Sequence, residues 1–209
     1  MPPEPTASSQ LETPTLLIAM PQVQDSFFRK SVVLLIHHED EGSVGLIVNR
    51  PTGIPTREIL EGMEIPWQGG EAVMTHFGGP VQPQIGTVLF AAPEVGGNGN
   101  GFAATPLPDL EAATPIAPGI SLTQHIGDLG QLAAEPPERF RLLLGYAGWG
   151  EGQLIEEILR NDWLTAPVSV DLVFADDAED AWTAALASVG VDAATLPSWT
   201  AGSGPEGAN

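Results

Sequence analysis

The amino-acid sequence predicts one α+β (mixed α/β) domain, in which a sheet and several helices share a single hydrophobic core. The chain has 209 residues, of which 43% are hydrophobic, enough for one sizeable core without a second. Short apolar runs bounded by turn residues alternate with stretches whose apolar residues recur every three or four positions. Strands that precede and alternate with helices around one core are typical of the mixed classes.

Three strands are predicted near the start of the chain, at residues 16–19, 31–37 and 44–49. The last two are joined by the turn sequence HEDEGS, in which Gly42 can adopt a positive φ. All three runs are almost continuously apolar. This composition predicts that both faces of each strand are buried.

The middle of the chain alternates helix and strand signals. Thr56 is expected to cap a short helix that Gly62 ends. The following elements are a turn at 77–80, a strand at 85–91, an irregular segment with at most one weak strand at 93–119, and a helix from 121 to about 134. A pair of prolines directly after that helix cannot continue it.

The last third of the chain predicts a strand at 141–146, a Gly-rich turn, a helix at 153–164, a strand at 168–174 and a helix at 179–189. Glu156 and Arg160 on the first of these helices should pair at i, i+4 spacing. Trp182 and Leu186 on the second should point inward. The core face of the first helix is predicted to consist of Leu154, Ile155, Ile158, Leu159 and Trp163.

The charge of the chain limits its partners. There are 27 acidic residues against seven Lys and Arg, for a formal net charge of −20. Affinity for DNA that does not depend on sequence comes from Lys and Arg that displace counterions. Here the cations are scattered along the sequence from Arg29 to Arg160. Direct binding of nucleic acid is therefore not expected.

The absence of cysteine excludes disulfides, thiolate metal sites and thiol nucleophiles. The N-terminal residues lack the features of a secretory signal, and the longest apolar runs are far shorter than a membrane helix of about 20 residues. A cytoplasmic protein that does not contact membranes is expected. Residues 1–14 and 201–209 are poor in apolar residues and are predicted to be disordered tails around a domain at 15–200.

Several motifs that can carry chemistry are interpreted as structural. The glycines in 145–152 match neither the dinucleotide-binding nor the P-loop spacing, so they predict a tight turn with close backbone packing. The segment His37–Asp40 indicates a solvated hairpin tip. His125 with Asp128 indicates a surface pair on a helix, and His76 a surface residue beside a turn. We therefore predict no catalytic residue, no metal site and no cofactor.

One polar set remains as a candidate site, at the ends of the apolar strands. Arg50 follows a strand and precedes Pro51, so Asp25 or Glu157 is expected to hold its guanidinium in a bidentate ion pair. In one interpretation this pair only fastens loops at the end of the sheet. In the other, the set binds an anionic ligand or a peptide carboxylate. The candidate residues are Asp25, Arg29, Asn49, Arg50, Gly78, Gly79 and Glu157.

Sequence words spread along the chain carry a resemblance to a known family. They are LLIAMP, FRKSVV, GLIVNRP, GGPV, GYAGW, EEIL and WLTAP. From about residue 16 to 197 the chain resembles the bacterial YqgE/AlgH family. The resemblance implies a single mixed domain with a bifurcated, partly barrel-like sheet surrounded by helices. Relatives commonly carry Glu after GQL, where this chain has Ile155, so Glu157 is the better carboxylate candidate here.

The resemblance implies little about function, because the family is largely uncharacterised and its occasional label as a transcriptional regulator concerns alginate production. We expect a non-enzymatic protein that binds a partner protein or a small anionic ligand and influences gene regulation indirectly, if at all. One alternative is an enzyme that uses Asp25 or Glu157. The other is a DNA-binding transcriptional regulator, which would need a basic helix that reads a DNA groove and is disfavoured by the net charge.

Overall fold

A ten-stranded sheet is the frame of the molecule in the computed structural model, which describes residues 11–92 and 107–197. Its strands are β1 Thr15–Ala19, β2 Val32–Glu39, β3 Gly42–Ile47, β4 Pro51–Pro55, β5 Met74–Phe77, β6 Val81–Ala91, β7 Thr114–Ala117, β8 Ile120–Thr123, β9 Phe140–Gly150 and β10 Trp163–Ala166. The α-helices of the described ranges are α1 Thr56–Gly62, α2 Ile126–Ala134, α3 Gln153–Leu159, α4 Val170–Val173 and α5 Ala178–Ser188.

The sheet divides at the long strand β9. Most strands follow the order β10-β1-β2-β3-β9-β6-β8-β7 and pair antiparallel. The C-terminal part of β9 pairs with β3, whereas its N-terminal part pairs with β6 and, in parallel, with β5, which in turn carries β4. The sheet curls into a half-barrel. The predicted single mixed domain with a bifurcated, partly barrel-like sheet is therefore confirmed.

Strands β1, β2 and β3 separate two hydrophobic clusters, as their continuous apolar runs predicted. Successive residues of a strand point to opposite faces, so Leu16 and Ile18 join one cluster and Leu17 and Ala19 the other. Trp182 of α5 completes the first cluster, and α3 contributes to the second. A third cluster lies near α1 and α2, around the tilted contact of Trp67 with Phe140.

Two predicted helix starts are wrong. Thr56 lies inside α1 and does not cap it: Pro55 occupies the N-cap position, without a side-chain hydrogen bond. Ser121 belongs to strand β8, where it pairs with Phe90 of β6, and α2 begins only at Ile126. In both cases pairing with a neighbouring strand decides the backbone conformation, which local propensity cannot report.

The predicted helix at 153–164 is also wrong beyond Leu159. Asn161 has a φ of +61°, which turns the chain into strand β10, where Trp163 pairs with Ala19 of β1. Leu159 is consequently 76% exposed and is not part of a core face. Arg160 pairs with Asp162, with 2.8 Å between Nη2 and Oδ2, and not with Glu156.

Of the predictions for three further elements near the C-terminus, two are wrong and one is confirmed. The predicted strand at 168–174 is wrong: residues 170–173 form helix α4, and Val173 and the following Phe174 are part of the core. The predicted Gly-rich turn is mostly strand, because Gly148 pairs with Val44 and the turn is confined to residues 151–152. The helix predicted at 179–189 is confirmed as α5, with Trp182 and Leu186 buried.

The remaining predictions concern segments next to the residues that the structure does not describe. Of the predicted irregular segment, residues 93–106 lie outside the described residues, and β7 is the weak strand that follows them. The predicted tails lie mostly outside as well, although Leu11 packs against the second cluster. Among the described residues, none of the helices combines the length and the hydropathy needed to cross a bilayer.

Candidate functional site

The loop between β1 and β2 is organised by Asp25, one of the predicted site residues. Its Oδ1 accepts hydrogen bonds from the backbone N–H of Phe27, at 2.7 Å, and of Phe28, at 3.1 Å. Its own carbonyl accepts from the N–H of Arg29 at 3.1 Å. An aspartate that binds the backbone two and three residues on is a common loop anchor. The carboxylate of Asp25 is thus used to shape the loop.

Arg50 fastens the same loop from the end of strand β3. Its guanidinium donates to the carbonyl of Ser26 at 2.5 Å and to the carbonyl of Arg29 at 2.7 Å. The predicted bidentate pair with Asp25 or Glu157 is therefore wrong: the forked donors of the guanidinium bind backbone carbonyls. Partial burial lowers the pKa of Arg50, the nearby charge of Asp25 opposes that shift and the charge of Arg29 adds to it.

Asn49, the neighbour of Arg50, is only 4% exposed and has partners for both ends of its amide. Its oxygen accepts from the N–H of Val32 at 2.8 Å, and its nitrogen donates to the carbonyls of Lys30 and Ala178, each at 2.9 Å. One side chain therefore joins the start of β2, the end of the loop and the start of α5. An amide suits this position because it both donates and accepts.

Gly78 and Gly79 lie where the turn after β5 passes against β9. The carbonyl of Gly78 accepts from the N–H of Ile47, and its N–H donates to the carbonyl of Leu144, each at 2.8 Å. A Cβ on Gly78 would collide with the carbonyl of Gly145, and one on Gly79 with the backbone of Tyr146. These glycines are needed for close backbone approach.

Glu157 belongs to α3, and its carboxylate lies beneath the indoles of two tryptophans. Its Oε2 accepts from the indole N–H of Trp149 at 2.8 Å and of Trp163 at 2.7 Å, and its Oε1 accepts from Gln153 at 2.9 Å. Phe28 packs on both indoles, with ring centroids 6.2 Å and 5.7 Å away. The predicted site residues thus meet through one continuous set of contacts around the β1–β2 loop.

One part of this set faces solvent, and we call it the loop corner: Phe27, Arg29, Arg50 and Phe77. Phe27 is 47% exposed and stacks on Phe77 with 5.6 Å between ring centroids. The N–H of Phe77 donates to the carbonyl of Arg50 at 2.8 Å. Arg29 is exposed and makes no side-chain hydrogen bond or ion pair within residues 11–92 and 107–197.

Although the cations are scattered along the sequence, the fold brings the guanidinium of Arg50 to the backbone carbonyl of Arg29. Lys30 is paired with Glu179, with 2.6 Å between Nζ and Oε1. The ion pairs of the other exposed or partly exposed cations are Arg57 with Glu71, Arg139 with Asp171 and Arg160 with Asp162. Arg29 and Arg50 therefore place two positive charges at this loop, where Asp25 is the negative charge that acts on Arg50.

The positive charge of buried Arg141 acts on half-buried His76, an interaction that the sequence did not indicate. Burial, aided by the positive charge of Arg141, lowers the pKa of His76 to about 4, although a hydrogen bond with the carbonyl of Met74 opposes the shift. His76 does flank the turn at 77–80, but it is half-buried there. Arg141 donates to the carbonyls of Val48, Val173 and Ala175, the second at 2.7 Å.

The predicted pair of His125 and Asp128 is present, with 3.7 Å between Nδ1 and Oδ1, but only His125 lies at the surface. Asp128 is completely buried, and it accepts hydrogen bonds from the N–H groups of Glu111 and Ala112 and from the hydroxyl of Thr123. Burial would raise the pKa of Asp128, but these hydrogen bonds hold it below its ordinary value. The spacing of residues around Asp128 does not indicate this arrangement, because two of its hydrogen-bond donors, the N–H groups of Glu111 and Ala112, come from a separate segment of the chain.

The sequence of the chain also matches known proteins. A model of the AlgH-like family matches residues 16–194. The chain belongs to the AlgH-like family. The earlier resemblance is thereby confirmed, and the matched range contains all the candidate site residues from Asp25 to Glu157.

Relatives of this AlgH-like chain agree with it over most of their length. A UPF0301 protein of Shewanella loihica is 38% identical over 181 residues, which cover 85% of this chain and 90% of that protein. A UPF0301 protein of Shewanella woodyi is 36% identical over 184 residues with the same coverage.

Two solved structures share the fold. The solution structure of the AlgH protein from Pseudomonas aeruginosa superposes with a TM-score of 0.65 at 31% identity, covering 85% of this chain and 88% of that one. The crystal structure of a protein from Corynebacterium diphtheriae superposes with a TM-score of 0.64 at 21% identity, covering 82% and 83%. The latter likeness concerns the fold alone.

Proposed function

We propose that this AlgH-like chain is a non-enzymatic, cytoplasmic binding protein whose loop corner contacts an acidic surface of a partner protein or a small anionic ligand. One observation carries the proposal: Arg29 presents an exposed guanidinium without an internal partner in the described ranges, beside the exposed ring of Phe27. Arg and aromatic residues are enriched at the centres of protein interfaces.

Charge supports the same surface. The acidic residues of this chain repel an acidic partner from most of its surface, whereas the loop corner attracts it. Such an arrangement orients the partner during encounter and makes association sensitive to salt. A protein partner is the better supported form of the proposal, because the guanidinium lies next to a stacked aromatic pair that an apolar partner residue can cover.

The other candidate residues support the loop corner from behind in this proposal. Asp25, Asn49 and Arg50 hold the loop through backbone hydrogen bonds, Gly78 and Gly79 allow β5 to approach β9, and the carboxylate of Glu157 fixes the tryptophans on which Phe28 packs. A surface held in this way loses little conformational entropy on binding. The site interpretation and the loop-fastening interpretation of this polar set are then compatible.

The alternatives draw less support. An enzyme that uses Asp25 or Glu157 would need a free carboxylate, and both already accept internal N–H donors. Contact with DNA would require a run of available cations, and within the described residues most of them are engaged in ion pairs or with backbone carbonyls. Any influence on gene expression is therefore proposed to pass through the bound partner.

The test compares protein capture by the wild type and by two variants. Arg29→Glu cancels the net positive charge that Arg29 and Arg50 give the loop corner, without removing an internal hydrogen bond of its side chain. Arg57→Glu makes the same charge change at a partly exposed guanidinium elsewhere on the surface, which pairs with Glu71. From a lysate of the host, a partner should be retained by the wild type and by Arg57→Glu, lost with Arg29→Glu, and released by added salt.

Two outcomes contradict the proposal. Capture of the same proteins by all three forms would show that the loop corner is not the contact surface. For the small-ligand form, titration with citrate should shift the amide resonances of Phe27 to Lys30 in the wild type only. Absence of both the captured partner and these shifts would refute the proposed function.

A further inference from the structure

A cleft of about 300 Å³ opens between α1, β6, β9 and the start of α2. None of its lining residues belongs to the loop corner, and none is a candidate residue of the sequence analysis. Binding sites for small molecules have volumes from about 300 to 1,000 Å³ and are lined mainly by apolar residues with a few placed polar groups. The cleft has the size of a compact site of this kind.

The walls of the cleft are mainly apolar. Ile59 comes from α1 and Met63 directly follows it, Leu142 and Leu144 come from β9, and Ile126 comes from the first turn of α2. Met63 is 46% exposed and Ile126 is 56% exposed, although both are large apolar residues. The lining contains no Lys, Arg, Asp or Glu, which is notable in a chain with 27 acidic residues.

The polar groups of the cleft are held in place by residues behind them. The Gln124 amide nitrogen donates to the hydroxyl of Thr87 at 2.8 Å, which leaves the amide oxygen as an acceptor. The N–H of His125 donates to the hydroxyl of Thr123 at 3.1 Å, and that hydroxyl donates to Asp128 at 2.7 Å. The site is therefore preorganised at its polar end.

The electrostatics of this end select against charged ligands. Asp128 lies behind His125, with 3.7 Å between Oδ1 and Nδ1, and its negative charge in the first turn of α2 offsets the positive end of the helix dipole. An anion thus gains little there and is repelled by the acidic protein as a whole. A cation finds no carboxylate in the lining to pair with.

We infer that the cleft binds an uncharged small molecule with a compact apolar body and one hydrogen-bond donor directed at the amide oxygen of Gln124. This inference does not depend on the proposed function of the loop corner. Binding in the cleft and partner capture at Arg29 fail or succeed separately, because they involve different residues.

The direct test uses two dyes with the same ring system. N-phenyl-1-naphthylamine is neutral and carries one N–H donor, whereas 8-anilinonaphthalene-1-sulfonate adds a negative charge. Fluorescence titration of the wild-type protein should give saturable one-to-one binding of the neutral dye with a dissociation constant on the order of 10 to 100 µM. The sulfonate should bind roughly tenfold more weakly or worse.

A cavity-filling variant locates the bound dye. Gly86 lines the cleft, and a Cβ placed there would meet only Leu142, at an ordinary 3.5 Å, so Gly86→Leu fills the cleft without a backbone collision. Gly148→Leu is the matched control: it lies on strand β9 outside the cleft and has the same clearance, 3.5 Å to Tyr146. Gly86→Leu should reduce the affinity at least about tenfold, whereas Gly148→Leu should not change it.

The inference is overturned if the wild type shows no saturable binding, if the sulfonate binds as tightly as the neutral dye, or if folded Gly86→Leu binds like the control. Circular dichroism establishes whether each variant is folded. If Gly86→Leu does not fold, amide shifts induced by the neutral dye in the wild type decide the question. They should centre on Gly86, Gln124 and Ile126, and shifts centred elsewhere refute the site.

Discussion

Asn49→Ala tests most sharply how the loop corner is built. The substitution removes the partners of the Val32 N–H and of the carbonyls of Lys30 and Ala178. Val32 is completely buried, so its N–H stays without a partner, whereas the carbonyls belong to partly exposed residues that water can reach. With about 2 kcal/mol for the orphaned N–H and about 0.5 to 1 kcal/mol for each carbonyl, the loss is roughly 3 to 4 kcal/mol.

Equilibrium unfolding in urea, followed by tryptophan fluorescence, measures this loss. For a domain of this size it corresponds to a fall in Tm of about 10 °C. Gln68→Ala is the control, because Gln68 is an exposed amide whose side chain makes no hydrogen bond in the described part of the chain, and its loss should stay within about 0.5 kcal/mol. If Asn49→Ala differs from this control by less than about 1 kcal/mol, the anchoring role assigned to Asn49 is wrong.

Two further predictions concern the half-buried side chains of His76 and Glu157. The pKa of His76 is lowered to about 4 in the folded protein, so below about pH 6.5 the unfolded chain binds a proton that the folded protein does not. The contribution of His76 to the free energy of unfolding is therefore fully present above pH 6.5 and is lost as the pH falls toward 4. In urea melts, the free energy of unfolding of the wild type relative to His76→Gln should fall by roughly 2 kcal/mol from pH 7 to pH 4.5. A difference that stays constant with pH contradicts the assignment. Glu157→Leu leaves two indole N–H groups without their acceptor and should destabilise by about 2 to 4 kcal/mol, with altered near-ultraviolet circular dichroism, whereas Glu156→Leu on the exposed side of the same helix should change little.

The accuracy of the sequence predictions follows the range of the interactions that decide each element. Burial of β1 on both faces was readable because a continuous apolar run has no polar face to expose. Helix α5 was readable because its apolar residues recur at helical spacing, and Trp182 and Leu186 are buried as that spacing predicts. Both signals lie within a few residues of the element they describe.

The wrong elements depended on distant partners. Trp163 continues the helical spacing of α3, but pairing of β10 with β1, more than 140 residues earlier in the chain, places it in a strand. Likewise Ser121 pairs with β6 and does not start a helix. Apolar periodicity reports which residues are buried, but it does not report which strand edge is open for pairing.

In the candidate site, too, the sequence predicted the feature that depends on local position but not the partners that come from other segments. The position of Arg50 at a strand end predicted that its guanidinium would fasten a loop, but the partners are the carbonyls of Ser26 and Arg29 and no carboxylate. Backbone carbonyls are present at every residue, so a sequence does not distinguish the one that a turn will present to a guanidinium. Asp25, which looked like the natural partner, is used within its own loop.

By itself, the sequence determined the family, the mixed fold class and the strands of the buried centre, because these depend on local composition and on words contiguous in the chain. Only the tertiary structure decided that Asn49 joins Lys30 to Ala178, that Arg29 and Arg50 share a cationic corner in an acidic protein, and that an uncharged cleft lies beside α2. The physical reason is that hydrogen bonds, charges and cavities depend on distances in space, and folding sets those distances between residues that are remote in sequence.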